Sequence, residues 1–500
     1  MTHSASPHSR PLDAIPEMPR RPGSARATAR RWLAQGSAWL ALLVVVLAPL
    51  PFGSVEPAWV ALWCAAMAVS LLLAGLPALS RAQTGILLAI IGVYACLLLA
   101  VALQSLGTPP DALRLRADAL LAGAPGATSS QRHPLSPADL GSSLLFVLAF
   151  CRLFLLGTDE AWSRRVFRVV AWSGLGYALY GALSFAFDPS HLLWRPKTAY
   201  LGNLTGPFVN RNTAATYFGA VTVLWTILFI AAIKRGSAGG LTLSERLWLA
   251  LSGRDAGLVG LLFGALLCLG ATAATGSRAG FLLTLAAVAL TTLVYGRIGL
   301  GPLRRHPWLV AGGGILAILV LEMLAGLVAT RLHLIGLDDE ARLDAYQAGF
   351  GLVALRPWLG WGLGNFEAAF AAVRPEAAGL TGVWDRAHST PLEWAIELGL
   401  PFAVLLGALW LWLLGKLLRS GWRTRLPVII AGGVVGLLGT LHSSIDFSLQ
   451  IPGFAVTFAA LTAIGLAQAT STMKTRSETI GLRGRRRRRP DNARPLGRPS

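Results

Sequence analysis

The chain has 500 residues, of which 54% are hydrophobic and only 14% are charged, and its mean hydropathy is +0.58. Such a composition is incompatible with a water-soluble surface and indicates a polytopic membrane protein. The formal net charge of +20 is also typical of nucleic-acid-binding proteins, but the basic residues lie in the tails and loops, which disfavours that function.

Apolar runs of about 18 residues or more recur along the chain, and each is long enough to cross a hydrocarbon core of about 30 Å as a helix. Lipid cannot satisfy backbone polar groups, so the spans should be helical. We predict an all-α polytopic integral membrane protein with about twelve transmembrane helices, near residues 36–53, 57–79, 83–105, 139–157, 169–187, 213–233, 256–275, 279–295, 308–329, 396–415, 427–441 and 451–468.

The 44 lysines and arginines indicate the orientation. Most of them lie in the two tails and in alternate connecting segments, which the positive-inside rule assigns to the cytoplasm, so both termini are predicted to be cytoplasmic. Three long segments then lie on the outer face, at residues 106–138, 188–212 and 330–395. The last is the largest and connects spans nine and ten.

We divide the chain into a basic amino-terminal tail (1–35), a transmembrane region (36–468) and an Arg-rich carboxy-terminal tail (469–500). Both tails lack apolar periodicity and are predicted to be disordered, with arginines that contact anionic lipid head groups. The first apolar run is too long for a signal peptide, so none is expected. Neither disulfides nor a thiolate metal site are expected from the cysteines, which we interpret as core residues: Cys64, Cys96, Cys151 and Cys268.

The stretch GSRAG at residues 276–280 places Arg278 between two very apolar runs, at a turn on the outer face. An arginine at mid-bilayer costs about 2.5 to 3.5 kcal/mol, so Arg278 should find an anion or a cavity near the interface. Lipid phosphate is one candidate. A bound substrate phosphate is the other, because Gly276 and Gly280 would allow close approach to the start of the next helix.

Three further polar segments lie on the same predicted face. TGPFVNRNTAATYFG (205–219) contains Asn210, Arg211 and Asn212, where Asn212 or Thr213 could also serve as a helix cap. WDRAHSTPLEWAIELGLPF (384–402) contains His388, which a neighbouring carboxylate could tune as a general base.

In the same segment Glu393 and Glu397 are four residues apart and share a helix face. The third segment, LHSSIDFSLQIPG (441–453), contains His442 and Asp446, which could bind each other on a turn.

The large outer segment contains two more patterns. Its spacing predicts a helix along the membrane surface on which Leu343, Tyr346, Phe350 and Leu355 face one way. GWGLGNF resembles part of a dinucleotide fingerprint but follows no strand, so its glycines are interpreted as shaping a tight loop.

In their order and spacing, these segments resemble the O-antigen ligase and O-antigen polymerase family of bacterial inner-membrane glycosyltransferases. The resemblance covers roughly residues 36–468 and rests on TGPFVNRN, GSRAG, the sequence from Arg342 through RPWLGWGLGNF, AHSTPLEWAIELGLP and LHSSIDFSLQIP. One departure is Ser389, which follows His388 where many relatives have asparagine.

The resemblance implies a large periplasmic loop, a glycan donor on undecaprenyl pyrophosphate, and an acceptor hydroxyl on a glycan or on lipid A core. It implies no metal, cofactor or nucleotide. Arg278 and Arg342 would clamp the diphosphate, and His388 would orient or deprotonate the acceptor. The residues expected to bind substrate are Arg211, Asn210, Asn212, Glu397, His442 and Asp446.

Ligase and polymerase chemistry are equally compatible with the sequence. A protein O-oligosaccharyltransferase, a polysaccharide or lipid-linked glycan transporter, and a noncatalytic assembly scaffold are the alternatives. The predicted spans carry few charges besides Arg152 and Glu322, which favours a surface enzyme over a transporter. Membrane lipids and proteins of polysaccharide export or assembly are the further expected partners, and no nucleic acid is expected.

Overall fold

The computed structural model describes residues 25–105, 137–237, 255–296, 344–373 and 384–487, with the single residues Glu245, Trp248 and Ser252. Over these residues the fold is almost entirely helical, and only two short antiparallel strands occur, β1 (His191–Leu192) and β2 (Arg195–Pro196). The helices are α1 (Ala25–Leu47), α2 (Pro57–Ala74), α3 (Arg81–Ser105), α4 (Pro137–Gly157), α5 (Glu160–Phe187), α6 (Arg211–Ser237), α7 (Ala256–Ala274), α8 (Arg278–Thr291), α9 (344–355), α10 (Phe366–Val373), α11 (Thr390–Leu398), α12 (Leu400–Thr424), α13 (Pro427–Ser443) and α14 (Pro452–Arg487).

Nine of the described helices are long and apolar enough to cross a membrane: α2 to α7, α8 together with the π-helical turn Thr292–Gly296 that continues it, α12 and α14. Helix α13 is a shorter apolar helix, and α1 overlaps the first predicted span. Every predicted span overlaps a helix except 308–329, which lies outside the described residues. The bounds differ, since span 36–53 runs past the end of α1 and span 396–415 begins inside α11. The all-α polytopic fold is confirmed, and the count of twelve spans stays a prediction.

Helix α14 forms the centre of the bundle, because its apolar window Pro452–Ser471 is entirely buried. Small residues allow this burial. A Cβ at Gly157 of α4 would lie 2.7 Å from Ile464 Cα, and one at Gly432 of α13 would lie 2.7 Å from Leu461 O. Neighbouring helices thus approach α14 at backbone distance, as small residues permit inside membranes.

The helices extend into both segments predicted to be tails. Helix α1 begins at Ala25, and α14 continues to Arg487. The three-part division of the chain stays a prediction.

Two residues inside the spans differ in their surroundings. The interpretation of all four cysteines as core residues is wrong for Cys96, which is exposed on α3 because it faces away from the bundle.

Arg152 of α4 is 3% exposed. Its guanidinium donates to Ser70 Oγ (2.7 Å) and Ser37 Oγ (3.1 Å), which links three helices through one buried charge.

Candidate active site

Four polar segments meet at one end of the helix bundle, which we call the polar end. Leu204 N–H donates to Ala274 O at 3.0 Å, and Asn212 Nδ2 donates to Asp446 Oδ2 at 2.5 Å. Thr390 Oγ1 donates to Asp446 O at 3.4 Å. The polar end is formed by residues 203–215, 274–280, 384–393 and 442–450.

Asn210 is the residue that caps α6. Its Oδ1 accepts the N–H groups of Asn212 (2.6 Å) and Thr213 (3.2 Å), and its side chain is buried. The expectation that Asn212 or Thr213 is the cap is therefore wrong, because these residues donate the amides that the cap satisfies. The side chain of Asn212 instead donates to Asp446, in another of the four segments.

Asp446 joins three of the four segments and is 2% exposed. One carboxylate oxygen accepts from Asn212, and the other accepts from Phe447 N–H at 2.7 Å. The oxygen that accepts from Asn212, Oδ2, also faces His388, whose Nδ1 lies 3.8 Å away. Separated by 234 residues in sequence, Asn212 and Asp446 are neighbours only in the folded protein.

His388 holds the imidazole nearest to Asp446. The 3.8 Å separation is an ion-pair distance and too long for a hydrogen bond, and Nδ1 is buried without a hydrogen-bond partner. The side chain is 22% exposed, so its accessible part is on the other atoms of the ring. Trp384 and Phe447 pack edge-on against the ring, with centroids at 5.2 Å and 5.1 Å.

The backbone of His388 is held on both sides. Tyr346 OH, from α9, donates to His388 O at 2.9 Å. Ala387 N–H donates to Glu393 Oε2 at 2.8 Å, and Arg386 donates to Glu393 Oε1 at 3.1 Å. These bonds hold His388 in a left-handed backbone conformation, with φ +50°, that non-glycine residues adopt rarely and that clusters at functional sites.

The two carboxyl groups around His388 have opposite pKa shifts. Burial raises the pKa of Glu393, and Arg386 and the Ala387 N–H offset this only in part. Burial also acts to raise the pKa of Asp446, but the His388 ring, the charge of His442 and the N–H of Phe447 lower it by more. Asp446 is therefore held as a carboxylate beside the His388 ring.

His442 lies behind Asp446 and is 1% exposed. Its Nδ1 is hydrogen-bonded to Ser448 Oγ at 3.0 Å, and Ser448 Oγ is bonded to Thr216 Oγ1 of α6 at 3.2 Å. His442 acts on Asp446 electrostatically, and the bonds that join Asp446 to other segments come from Asn212 and Thr390. His442 thus ties the connection between α13 and α14 to α6.

Two arginines begin adjacent helices at the polar end. Arg211 is the first residue of α6 and Arg278 is the first residue of α8. Arg211 donates to Asn203 Oδ1 at 3.3 Å, whereas Arg278 is exposed. Arg342 lies outside the described residues. A helix amino terminus carries a partial positive charge, so two such termini with two guanidinium groups form a strongly cationic surface.

The glycines around Arg278 have structural functions in the turn and in helix packing. Gly276 has φ +66°, a conformation that suits glycine, and Ser277 caps α8 through the Gly280 N–H. A Cβ at Gly280 would lie 2.5 Å from Ala215 Cβ. Gly280 therefore serves the close packing of α8 on α6, which brings the two arginine-led termini together, and the approach of a ligand to this turn stays a prediction.

Glu397 lies apart from the His388–Asp446 pair. It is buried, its Oε1 accepts Phe366 N–H at 3.2 Å, and its backbone O accepts from Gly362 N–H and Gln104 Nε2. The interpretation of the glycine stretch as a tight loop is confirmed, because its glycines all have positive φ: Gly360, Gly362 and Gly364. The contacts of Glu397 favour a structural function in holding that loop.

The sequence alone does not reveal that Tyr346 and Glu393 support the backbone around His388. The predicted surface helix exists as α9, but Tyr346 turns inward to His388, whereas Phe350 and Leu355 are each 64% exposed. Leu343 lies outside the described residues. A single apolar face was predicted because Tyr346 was counted as apolar, although its hydroxyl needs a partner.

The site as described contains no evident metal-binding group. Within the ranges that the structure describes, no three side chains of His, Cys, Asp or Glu lie close enough to share a metal ion. The groups that are present suit acid–base chemistry and the stabilisation of an anion.

A known protein family matches the part of the chain that contains Arg278 and His388. Residues 263–407 match the family described as O-Antigen ligase, a region that includes Arg278, α9 and His388. No similar sequence was found among the curated proteins compared. The matched region supports a function of the ligase and polymerase type in polysaccharide synthesis, in a multi-pass membrane protein. Over residues 263–407 this match supports the family resemblance found in the sequence.

Proposed function

We propose that the protein transfers a glycan from undecaprenyl pyrophosphate to a hydroxyl group of an acceptor sugar, without a metal or cofactor. The reaction takes place at the polar end, which faces the periplasm of a bacterial inner membrane, with both termini in the cytoplasm. The observation that carries the proposal is the position of His388 Nδ1, 3.8 Å from the buried carboxylate of Asp446, at the same end of the bundle as two helices that begin with arginine.

The arginine-led helices supply the first chemical requirement, which is stabilisation of the leaving diphosphate. Arg278 and Arg211 can each donate several N–H groups to phosphate oxygens, and the two helix termini add their partial charges. Fixed donors of this kind stabilise charge as it develops in a transition state. Arg342 is the third proposed contact of the diphosphate.

His388 supplies the second requirement, which is activation of the acceptor. As the bond between the anomeric carbon and the phosphate oxygen breaks, the acceptor oxygen bonds to that carbon and its proton passes to His388. Because Nδ1 is buried toward Asp446, Nε2 receives the proton. Opposite charges at this separation attract each other, so Asp446 stabilises the imidazolium that forms.

The remaining site residues are assigned by their contacts. Asn212 orients Asp446, Asn210 orders the start of α6, and His442 fixes the α13–α14 connection and favours the charged form of Asp446. Glu397 stays a predicted substrate-binding residue, although its contacts support a structural function.

The proposal is tested with purified protein, an undecaprenyl-pyrophosphate oligosaccharide and candidate acceptors. Wild type should transfer the glycan and Arg278→Ala should not, at equal amounts of inserted protein. Formation of one-step adducts on lipid A core identifies a ligase, a ladder of products identifies a polymerase, and glycosylated polypeptide identifies a protein O-oligosaccharyltransferase.

The same experiment separates the noncatalytic alternatives. A transporter would move the lipid-linked glycan across a vesicle membrane without forming a new glycosidic bond. A scaffold would tolerate both Arg278→Ala and His388→Ala in a cell that makes surface glycan. Full activity of both variants would end the transferase proposal.

A further inference from the structure

Helix α9 has an apolar face that no described part of the protein covers. Phe350 and Leu355 are each 64% exposed, and Trp358, just after the helix, is 76% exposed. The complete exposed stripe follows the helical spacing of one face: Gln347, Phe350, Gly351, Ala354, Leu355 and Trp358. Three large apolar side chains on one face are more than the scattered exposure of a soluble loop.

The opposite face of α9 packs on the protein. Leu352 is fully buried and Ala345 is 5% exposed, and a Cβ at Gly349 would lie 3.1 Å from a methyl carbon of Leu392 in α11. Helix α9 therefore lies against α11 with a defined orientation. The exposed stripe is a fixed surface, because packing determines which face points outward.

The end of α9 is tied to the ends of two membrane-spanning helices. Leu400 N–H, at the start of α12, donates to Pro357 O at 2.8 Å, and Gln104 Nε2, near the end of α3, donates to Leu359 O at 2.5 Å. These bonds position residues 357–359 at the depth where α3 and α12 leave the bilayer. On α12, Leu400 and Val404 are 44% and 65% exposed, so the stripe continues a lipid-facing surface.

We propose that α9 is an in-plane membrane anchor whose exposed stripe is covered by the acyl chains and glycerol region of the bilayer. Amphipathic helices bind membrane interfaces in this manner, and an exposed tryptophan at the end of a span is typical of the interfacial aromatic belt. The occupant is lipid because the stripe is joined to two spans. The proposal does not depend on the transferase function.

The anchor has a consequence for the polar end. Tyr346 lies on the inward-facing part of α9, and its hydroxyl bonds to His388 O. A helix held at the bilayer surface thus fixes the height of His388 relative to the lipid. Any lipid-borne substrate would meet the imidazole at a constant depth.

The test measures depth directly. Spin labels are introduced by Phe350→Cys, Leu355→Cys and Trp358→Cys in a variant without the four native cysteines, reconstituted in vesicles of phosphatidylethanolamine and phosphatidylglycerol. Asp385→Cys, at an exposed charged position of the same loop, is the control. The stripe labels should be relaxed more by oxygen than by a water-soluble nickel complex, and the control label should show the reverse.

A second measurement uses the otherwise native chain, so the result does not depend on the cysteine-free variant. A benzophenone side chain at Phe350 should form covalent adducts with phospholipid on irradiation, which mass spectrometry detects. Nickel accessibility equal to that of the control, or adducts only with a second copy of the chain, would overturn the proposal. Lipid adducts at position 350 together with oxygen-dominated relaxation would support it.

Discussion

The histidine side and the arginine side of the polar end are built differently. On the histidine side, Asp446 and Glu393 are each 2% exposed, and His388 is held through its backbone oxygen, the preceding residue and ring contacts. On the arginine side, Arg278 is exposed at the start of a helix, and the positive surface comes from helix termini as well as side chains.

This difference indicates which structural property each side needs for the proposed reaction. A proton transfer depends on the position of one ring atom within a fraction of an ångström, so the histidine side is fixed by packing. A diphosphate on a mobile lipid can be attracted over a longer distance by a field that several donors share. Substitutions on the histidine side should therefore act through geometry, and those on the arginine side through the number and arrangement of donors.

His388→Gln should have the largest effect. Loss of the base that receives the acceptor proton should lower the transfer rate roughly 100- to 10,000-fold, with unchanged insertion, in a reconstituted transfer assay. His191→Gln is the matched control, because His191 is bonded to Asp188 on the β1–β2 hairpin. Normal transfer by His388→Gln would show that the imidazole has no catalytic function.

Arg278→Lys should have the next largest effect. Lysine keeps the charge but loses the planar pair of donors, and the loss of one charged hydrogen bond corresponds to roughly 10- to 100-fold in transfer. Insertion should stay normal. Arg195→Lys is the control, since Arg195 bonds to Glu56. Equal activity of Arg278→Lys and wild type would indicate that Arg278 only contacts lipid head groups.

Asp446→Asn should lower kcat by about tenfold, because an imidazolium loses its nearby negative charge. Asn212→Ala keeps the Asp446 carboxylate and removes only the hydrogen bond that Asn212 of α6 donates to it. The loss of kcat should therefore be smaller than in Asp446→Asn. Steady-state kinetics of the two variants separate charge from position. An equal loss in both would mean that position alone matters.

Substitution of the two glutamates of α11 should have different effects on kcat and on stability, although both side chains are buried. Glu393→Gln disturbs the segment that holds His388 and should lower kcat several-fold with little change in KM. Glu397→Gln disturbs the glycine loop and should lower the melting temperature while the folded fraction keeps its kcat. Thermal unfolding in detergent and kinetics on the same samples test this, and the reverse pattern would contradict the assignment.

Lowering the pH should have the smallest effect, which is a change in melting temperature that depends on Asp446. Its folded pKa is below the ordinary value of 3.8, so the carboxylate stabilises the fold above that value, and the contribution is lost as pH falls through the folded pKa. The difference in melting temperature between wild type and Asp446→Asn should narrow between neutral pH and about pH 3. A constant difference would mean that Asp446 does not contribute to the acid sensitivity of the fold.

Much of the architecture follows from local patterns. Apolar runs long enough to cross a bilayer can satisfy their backbone only as helices, and this alone located all the spans that the structure describes. The polar segments were also recognisable, since Arg278, Asn212, His388 and Asp446 interrupt or border apolar runs. A charged or amide side chain in such a position needs a partner, whatever the fold.

The partners themselves depended on tertiary packing. Asn212 and Asp446 are far apart in the chain, and their bond forms because α6 packs against α13 and the α13–α14 connection. The inward turn of Tyr346 and the different functions of Glu393 and Glu397 also depend on which atoms packing brings within 3.5 Å. Hydropathy specifies which segments enter the membrane, whereas hydrogen bonds act over atomic distances and are determined only by the assembled fold.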